Sequence, residues 1–204
     1  MKRLSTLLLF ILTIHVYGQI DKEVYSIYSL IINEELKNDS SVDHKTIIIQ
    51  SKTSAQHAPA SIEAICGFVK MDQPIFCNYP GNINEVIAKN TELKSLLLNL
   101  DKVKDKQTLL TQTLTINIPY QLIEPKNFYA KFRKSADVGW QQLKTDNPGL
   151  FGVVEFSNVV INGNFAVVYF GYQRNAFNGS GYIIVLKKED GQWKIISRPE
   201  VWVS

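Results

Sequence analysis

Four strand-like segments near the C-terminus are the feature of this sequence that most constrains its fold. They are rich in β-branched and aromatic residues, which favour strands. They cover residues 152–161, 164–172, 181–188 and 193–197. Asn162-Gly163 and Asp190-Gly191 stand between successive segments, and such pairs accept the positive φ angles that two-residue hairpins require. The pattern therefore predicts a four-stranded antiparallel meander.

The second segment is apolar on both of its faces. Phe165, Val167 and Tyr169 point to one side of the strand, because side chains alternate along a strand. The intervening Ala166 and Val168 point to the other side. We therefore expect the sheet to be covered on both sides or to curl around a core.

Helical periodicity appears ahead of these segments. Residues 21–36 carry apolar side chains at helical spacing, and the acidic Asp21 and Glu23 lie in the first turn. This pattern predicts an amphipathic helix packed against a sheet. Residues 82–99 and 125–144 show similar helical periods.

Two further segments have the character of strands. Residues 46–50 contain three consecutive isoleucines, which predicts a short buried strand, and residues 111–118 alternate up to Pro119. No strand–helix–strand alternation with a parallel crossover is visible in the sequence. The predicted fold class is therefore α+β, with an N-terminal amphipathic helix and further helices packed on a curved antiparallel sheet that ends in the four-stranded meander. We expect residues 19–204 to form a single such domain.

The N-terminus has the pattern of a cleavable signal peptide. Lys2 and Arg3 provide a positive start, and an apolar run covers residues 4–16. This run is shorter than the ~20 apolar residues that a membrane-spanning helix needs. We therefore expect residues 1–18 to be removed and Gln19 to begin the mature chain. The mature protein should be exported to the periplasm or the extracellular space without stable membrane insertion.

Removal of this leader leaves a nearly neutral chain. The sequence has 22 basic and 19 acidic residues, and the leader contributes two of the basic ones, so the net charge falls to 20 minus 19, or +1. No cluster of Lys and Arg with interleaved aromatic residues indicates a phosphate-binding surface. We therefore expect no nucleic-acid partner. An envelope or extracellular protein, or a glycan, is the expected partner.

Cys66 and Cys77 are the only two cysteines in the sequence. Exported chains meet an oxidising compartment in which a pair of thiols tends to form a disulfide. A disulfide over so short a loop would stabilise the fold by roughly 3 kcal/mol in the chain-entropy model. We therefore predict a structural Cys66–Cys77 disulfide. The alternative is that one cysteine is a nucleophile activated by His44 or His57.

Motifs of common enzyme and metal sites are missing from the sequence. There is no G-x-G-x-x-G turn, no G-x-x-x-x-G-K-[ST] loop and no G-x-S-x-G elbow. His44 and His57 lie in polar segments without partners at zinc-ligand spacing. We therefore predict no cofactor, no metal site and no catalytic residue of these classes.

The connection between the second and third strand-like segments, residues 173–180, is the predicted contact surface. It is longer than a tight hairpin needs, and it displays residue types that are common at interfaces. These residues are Arg174, Asn175, Phe177 and Asn178. Phe177 has an alternative role as a lid folded back on the core. This segment and the missing enzyme motifs together predict a non-enzymatic binding or interaction domain.

The alternative to a binding domain is a glycosidase, an enzyme whose two catalytic acids come together only in the fold. The possible members are Glu34, Glu35, Glu63, Glu124 and Glu155. Glu155 lies between two apolar residues of a strand, where it either faces solvent or is buried as a general acid. The alternative function is thus a glycan or cell-wall hydrolase that uses buried carboxylates.

Three short motifs in the C-terminal third resemble those of a group of short exported bacterial proteins without an assigned activity. They are Gly-Ser-Gly-Tyr at 179–182, Asp-Gly-Gln-Trp-Lys-Ile at 190–195 and Trp-Val-Ser at 202–204. The second motif is also similar to the last hairpin of cone-shaped α+β domains of the nuclear transport factor 2 and cystatin type. The resemblance implies a shared fold and compartment. It transfers no catalytic or binding residue, because the motifs consist of hairpin and core positions.

Overall fold

The computed structural model describes residues 22–37, 45–53 and 89–204 of the chain. These residues belong to two compact units, one with the N-terminal helix and residues 111–117, the other with the sheet and the remaining helices. The predicted signal peptide, the predicted disulfide and all histidines lie outside the described residues. No helix within the described ranges is long and apolar enough to cross a membrane.

In the first unit, helix α1 covers residues 22–36, as predicted, and its side chains bind the segment of residues 111–117. The Ser29 hydroxyl accepts a hydrogen bond from the Thr115 N–H (3.0 Å). The amide of Asn33, one turn further on, donates to the Thr115 carbonyl (3.1 Å). The strand predicted for this segment is wrong, because these backbone groups pair with helix side chains instead of a neighbouring strand.

The second unit is built on one sheet, to which the described residues contribute eight strands. The strands are β1 (Thr46–Gln50), β2 (Tyr120–Ile123), β3 (Leu150–Phe156), β4 (Val160–Asn162), β5 (Phe165–Asn175), β6 (Asn178–Glu189), β7 (Gln192–Ser197) and β8 (Glu200–Val203). Their order is β2-β1-β3-β5-β6-β7, with β4 paired to β5 and β8 paired to β6.

Three helices of this unit pack on one face of the sheet. They are α2 (Thr91–Val103), α3 (Pro125–Lys131) and α4 (Ala136–Asp146). The α2 cluster joins α2 to β5 and β6 through the buried residues Leu93, Leu96, Leu97, Leu100, Val167, Tyr169, Ile183 and Val185. The α3–α4 cluster joins α3 and α4 to β1 and β3 through Ile48, Phe128, Trp140, Leu143 and Val153.

The helices differ from the predicted ones at their ends. Helix α2 continues to Val103, beyond the predicted end at residue 99. The helix predicted over residues 125–144 is divided into α3 and α4. Helix α4 has its own N-terminus at Ala136, because the Ser135 hydroxyl accepts a hydrogen bond from the Val138 N–H (3.2 Å) and caps the helix.

Strand β1 makes the sheet mixed instead of purely antiparallel. It runs parallel to both of its neighbours, β2 and β3, while the other pairs are antiparallel. The connections from β1 to β2 and from β2 to β3 contain helices, which return the chain to the same end of the sheet. The isoleucines of β1 are buried, as predicted for this segment. The predicted α+β fold class is confirmed.

The predicted C-terminal meander is present, with one break. Strands β3, β5, β6 and β7 are successive antiparallel neighbours. Gly163 (φ 55°), Asp190 (φ 51°) and Gly191 (φ 78°) adopt the positive φ angles that the hairpin turns require. The first predicted strand is divided into β3 and β4 at Ser157, whose hydroxyl accepts a hydrogen bond from the Tyr169 N–H (2.9 Å).

Candidate functional site: a cleft with a buried carboxylate

A group of polar side chains lies between the two apolar clusters, on the sheet face that the helices cover. Glu155 on β3 and Gln50 on β1 each lie two residues beyond a member of the α3–α4 cluster, and Tyr169 on β5 belongs to the α2 cluster. Alternation along the strands therefore places all three on this face. With one residue from α3 and one from β8, they form the Glu155 cluster: Gln50, Tyr129, Glu155, Tyr169 and Trp202.

A directed chain of hydrogen bonds leads to the Glu155 carboxylate. The Trp202 indole Nε1–H donates to the Tyr169 hydroxyl (3.0 Å), and this hydroxyl donates to Oε1 of Glu155 (2.8 Å). An indole N–H can only donate, so the Tyr169 oxygen is the acceptor and its proton points to the carboxylate. Tyr169 is 0% exposed and Glu155 is 6% exposed. The chain therefore holds a carboxylate acceptor inside the protein.

Gln50 contacts the second oxygen of the same carboxylate. Its side-chain Nε2 donates to Oε2 of Glu155 (3.4 Å) and to the hydroxyl of Tyr129 (3.3 Å). Because the amide nitrogen is used in this way, the amide oxygen Oε1 points elsewhere. Gln50 is 3% exposed, and its Oε1 has no hydrogen-bond partner among the described residues. This oxygen is a buried acceptor for which the described part of the chain supplies no donor.

Both phenols of the cluster stay protonated at physiological pH. Burial, followed by the charge of Glu155, raises the pKa of Tyr129 to about 12. The same two causes raise the pKa of Tyr169 still further above its usual range, and the hydrogen bond from Trp202 only partly opposes them. Tyr169 therefore serves as a neutral hydrogen-bond donor to the carboxylate.

Two glycines make room for this cluster within the sheet. Gly171 on β5 pairs with Glu155 on β3 and with Gly181 on β6, and Gly181 pairs with Trp202 on β8. A Cβ atom at residue 171 would lie 2.7 Å from the Tyr169 hydroxyl and 2.8 Å from Cγ of Glu155. A Cβ atom at residue 181 would overlap the Trp202 indole. The paired glycines thus let the glutamate and the indole lie flat on neighbouring strands.

The Glu155 cluster borders a small cleft that is open to solvent. The centre of a water-sized molecule has only about 10 Å³ of space in this cleft, which is roughly what one bound water needs. The lining residues are Gln50, Phe128, Val153, Glu155, Gly171, Gln173 and Trp202. Two aromatic rings and one valine thus surround a carboxylate and two amides, and this arrangement suits a small polar ligand.

Most of this site is not evident from the sequence. Of the two environments that the sequence leaves open for Glu155, the solvent-facing one is wrong, because both faces of β3 are buried. For Gln50 and Tyr169 the sequence predicts only that they lie in strands. The available signal was the occurrence of Gly171 and Gly181 inside strands, since an interior glycine often marks the close approach of another group.

The predicted contact residues Arg174, Asn175, Phe177 and Asn178 lie at the β5–β6 hairpin, and none of them lines the cleft. The hairpin is tighter than predicted, because Asn175 pairs with Asn178 and only two residues connect the strands. The Asn175 side chain accepts a hydrogen bond from the Phe177 N–H (2.8 Å) and so stabilises the turn. Phe177 is 80% exposed, so its alternative role as a lid on the core is wrong.

Arg174 is held along the hairpin by aromatic side chains. Its guanidinium carbon lies 4.4 Å from the centre of the Phe151 ring and 5.4 Å from that of Tyr172. Its Nε–H donates to the Tyr172 hydroxyl (3.1 Å). Arg174 therefore contributes to packing between β3 and β5, whereas Phe177 is presented at the tip.

The carboxylates considered for hydrolysis are not brought together by the described residues. Glu34 and Glu35 belong to α1 in the first unit, and Glu63 lies outside the described residues. Glu124 is exposed at the N-terminus of α3, where it forms an ion pair with Lys126 (3.3 Å). Among the described residues that line the cleft, Glu155 carries the single carboxyl group.

Neither a metal centre nor a relative defines this site. The part of the chain that the structure describes contains no group of three or more His, Cys, Asp and Glu side chains able to hold a metal ion. No protein-family model, no curated protein and no solved structure matches this chain.

Proposed function

We propose that this chain is an exported, non-enzymatic binding domain that takes a small polar ligand in the cleft beside Glu155. The observation that carries this proposal is Oε1 of Gln50, a buried acceptor with no donor among the described residues, on a residue that lines a cleft open to solvent. An unsatisfied buried polar group costs about 1–3 kcal/mol. A ligand that donates a hydrogen bond to this oxygen would recover that free energy.

The protonation states of the cluster favour binding over catalysis. General acid–base chemistry is most efficient when the pKa of the catalytic group lies near the operating pH. The pKa of Tyr129 and that of Tyr169 lie far above this range, so neither phenol is suited to act as a base. A glycosidase additionally needs two carboxyl groups, and the described lining residues supply one. The glycan or cell-wall hydrolase remains the alternative function.

Export is part of the proposal and rests on the leader sequence. It requires removal of residues 1–18 and a mature chain that begins at Gln19. In that compartment the chain would meet small solutes, envelope proteins and glycans. The exposed Phe177 at the tip of the β5–β6 hairpin supports a second contact, with an envelope or extracellular protein or a glycan, because isolated aromatic residues of this kind often anchor interfaces.

A screen of small fragments followed by NMR tests the ligand-binding function. The library should contain cationic, anionic and neutral members, and the observed signals are the indole N–H of Trp202 and the backbone N–H of Gly171. We expect some fragments to shift both signals in a saturable manner. Gln173→Trp, which places a large side chain in the cleft, should abolish the shifts.

Glu124→Gln is the matched control, because it removes an exposed carboxylate outside the cleft and should leave binding unchanged. If no fragment of any charge class shifts the two signals, the small-ligand function is wrong. Hydrolysis of a glycan library by the wild-type protein, lost in Glu155→Gln, would favour the hydrolase instead.

A further inference from the structure

Strand β8 closes the cleft beside Glu155 from the edge of the sheet. Residues 200–204, which we call the strap, follow β7 along the same side of β6. Among the described strands, β6 is the single partner of β8. The other residues that line the cleft belong to α3 or to β1, β3 and β5, which are each paired on both sides. Trp202 is therefore the lining residue that an edge strand supplies.

An irregularity in the strap directs the Trp202 side chain into the protein. Gly181 pairs with Trp202 and Tyr182 pairs with Glu200, so Val201 is an extra residue between the two pairs. An extra residue of this kind re-aims the neighbouring side chains. Val201 and Trp202 accordingly both pack on the α2 cluster, although neighbours in a regular strand point to opposite faces. The indole thus reaches inward from the edge of the sheet.

The surface beneath the indole is made of backbone. Trp202 lies on Gly181, where a Cβ atom would overlap its ring, and Gly171 lies opposite Gly181 on the next strand. The Tyr169 hydroxyl borders this surface and accepts the hydrogen bond from the indole N–H (3.0 Å). Withdrawal of the indole would therefore open a flat slot with a hydrogen-bond acceptor at its side.

A ligand larger than water needs such an opening. With the indole in place, the cleft offers only about 10 Å³ to the centre of a water-sized molecule. The Phe128 wall is held by its neighbours, because its ring centre lies 5.0 Å from that of Tyr129 and 4.8 Å from that of Phe132. The strap is paired on one side and carries the exposed Val203. It is therefore the wall that opens at the lowest cost.

We propose that the strap opens and that a flat aromatic ligand with an N–H donor replaces the Trp202 indole on Gly181 and donates to the Tyr169 hydroxyl. This inference rests on the proposed small-ligand function and adds the ligand class and the part that moves. The ligand reproduces the shape and the donor of the side chain that it displaces. Trp202 is thus a tethered competitor, and the apparent affinity is lowered by the fraction of molecules whose strap is closed.

Indole and 1-methylindole test this proposal in the wild-type mature protein. Each is titrated while the NMR signals of the Gly171 amide and the Trp202 indole N–H are recorded. We expect saturable shifts with indole and at least about tenfold weaker binding of 1-methylindole, which lacks the donor. The Trp202 N–H should exchange with solvent faster as indole saturates, because it leaves the Tyr169 hydroxyl. Unchanged exchange at saturation would mean that the strap stays in place and would overturn the proposal.

A disulfide between β6 and β8 can lock the strap. Gly179 and Ser204 exchange both backbone hydrogen bonds (2.9 and 3.4 Å), so the adjacent Ser180 and Val203 form a non-hydrogen-bonded pair. The Cα separation of such a pair, ~4.5 Å, suits a disulfide. Oxidised Ser180→Cys/Val203→Cys should bind indole at least about tenfold more weakly than the reduced variant. The wild type under the same two conditions is the control, because Cys66 and Cys77 meet the same reagents.

Trp202→Ala removes the competitor and should bind indole at least about tenfold more tightly than the wild type, whereas Glu124→Gln should bind like it. Binding to Trp202→Ala without binding to the wild type would mean that the strap never opens and would overturn the proposal.

The outcomes distinguish this inference from the function on which it rests. If the fragment screen yields ligands but indole does not bind the wild type, or if the oxidised and reduced forms of the locked variant bind indole equally, the strap proposal is overturned and the binding function stands. If neither the screen nor indole shifts the cleft signals, both are wrong. Should a variant fail to fold, which thermal unfolding shows, the exchange of the Trp202 N–H in the wild type decides the question.

Discussion

Glu155 on β3 lies directly opposite Gly171 on β5, and its side chain occupies the space that a side chain at residue 171 would fill. The pair lies between two apolar clusters, where an isolated charge is costly to bury. The hydroxyl of Tyr169, two residues before Gly171, donates to the carboxylate and offsets part of that cost. The glycine is therefore a structural condition for the buried acid.

Gly171→Ala should destabilise the protein. Its Cβ would lie within 2.9 Å of Glu155 and Tyr169 atoms, so side chains or backbone must shift. Overpacking of this kind typically costs 1–3 kcal/mol. We expect the free energy of unfolding, measured by urea denaturation, to fall by about that amount.

A double-mutant cycle tests the cause of this loss. Glu155→Ala removes one of the two groups that a Cβ at residue 171 would meet, so the combined Gly171→Ala/Glu155→Ala variant should lose less than the sum of the two single losses. Additive losses would mean that the glycine is required for another reason.

Tyr169→Phe should also lower the free energy of unfolding, by about 1–3 kcal/mol. The change removes a donor from Glu155 and an acceptor from Trp202 within a fully buried region. Tyr129→Phe is the comparison, and it should cost less because Tyr129 is only partly buried. Equal losses in the two variants, again from urea denaturation, would contradict the assignment of Tyr169 to the centre of the cluster.

The buried phenols should make the protein sensitive to alkali. The pKa of Tyr129 in the folded protein is about 12 against 10.0 in the unfolded chain, so the neutral form is favoured by folding. Its contribution to stability is fully present below pH 10 and is lost as the pH rises through 12. Tyr169 acts in the same direction, because its pKa is raised further.

Tyrosinate absorbance during a pH titration measures this effect. We expect the tyrosines to ionise in two groups as the pH rises. The late group, which ionises at the higher pH, should ionise together with the unfolding that circular dichroism detects. Tyr169→Phe and Tyr129→Phe should each reduce the amplitude of the late group. An early, fully reversible ionisation of all tyrosines would show that the phenols are accessible in the folded state.

The parts of the fold that the sequence predicts well are those encoded by neighbouring residues. The hairpin at Asp190-Gly191 follows from two residues that accept positive φ, and helix α1 follows from its apolar period. The parallel pairing of β1 with β2 and β3 was not predicted. It depends on contacts between segments far apart in the chain, which no local pattern encodes.

The candidate site is also not predictable from local sequence patterns, because it depends on contacts between segments far apart in the chain. An acid between apolar neighbours, such as Glu155, has two possible environments, and the choice depends on the helices that cover the sheet. The sequence places Gln50 at the polar end of a buried strand, and its role depends on two hydrogen bonds to residues far along the chain. Where strands are covered on both faces, alternation cannot tell which polar residue is buried.

The Cys66–Cys77 disulfide stays a prediction, since both cysteines lie outside the described residues. Alkylation of the denatured mature protein without reductant should add no label, and alkylation after reduction should add two, as measured by intact mass. Reduction should lower the free energy of unfolding by roughly 3 kcal/mol. Two labels without reductant would show free thiols and would favour the alternative of a reactive cysteine.

The two prominent residues of the β5–β6 hairpin should respond differently to substitution. Phe177→Ala should change the free energy of unfolding by no more than about 0.5 kcal/mol, because the side chain is exposed. Arg174→Ala should cost about 0.5–1 kcal/mol, since the guanidinium lies over the ring of Phe151. Phe177→Ala should, however, weaken the capture of any envelope protein or glycan that binds the hairpin tip. Asn178→Ala is the comparison variant, because it removes a smaller side chain at the same exposed turn. Capture that survives Phe177→Ala, measured by pull-down from an envelope extract with the folded variants, would remove the hairpin tip as a contact surface and leave the cleft as the proposed binding site.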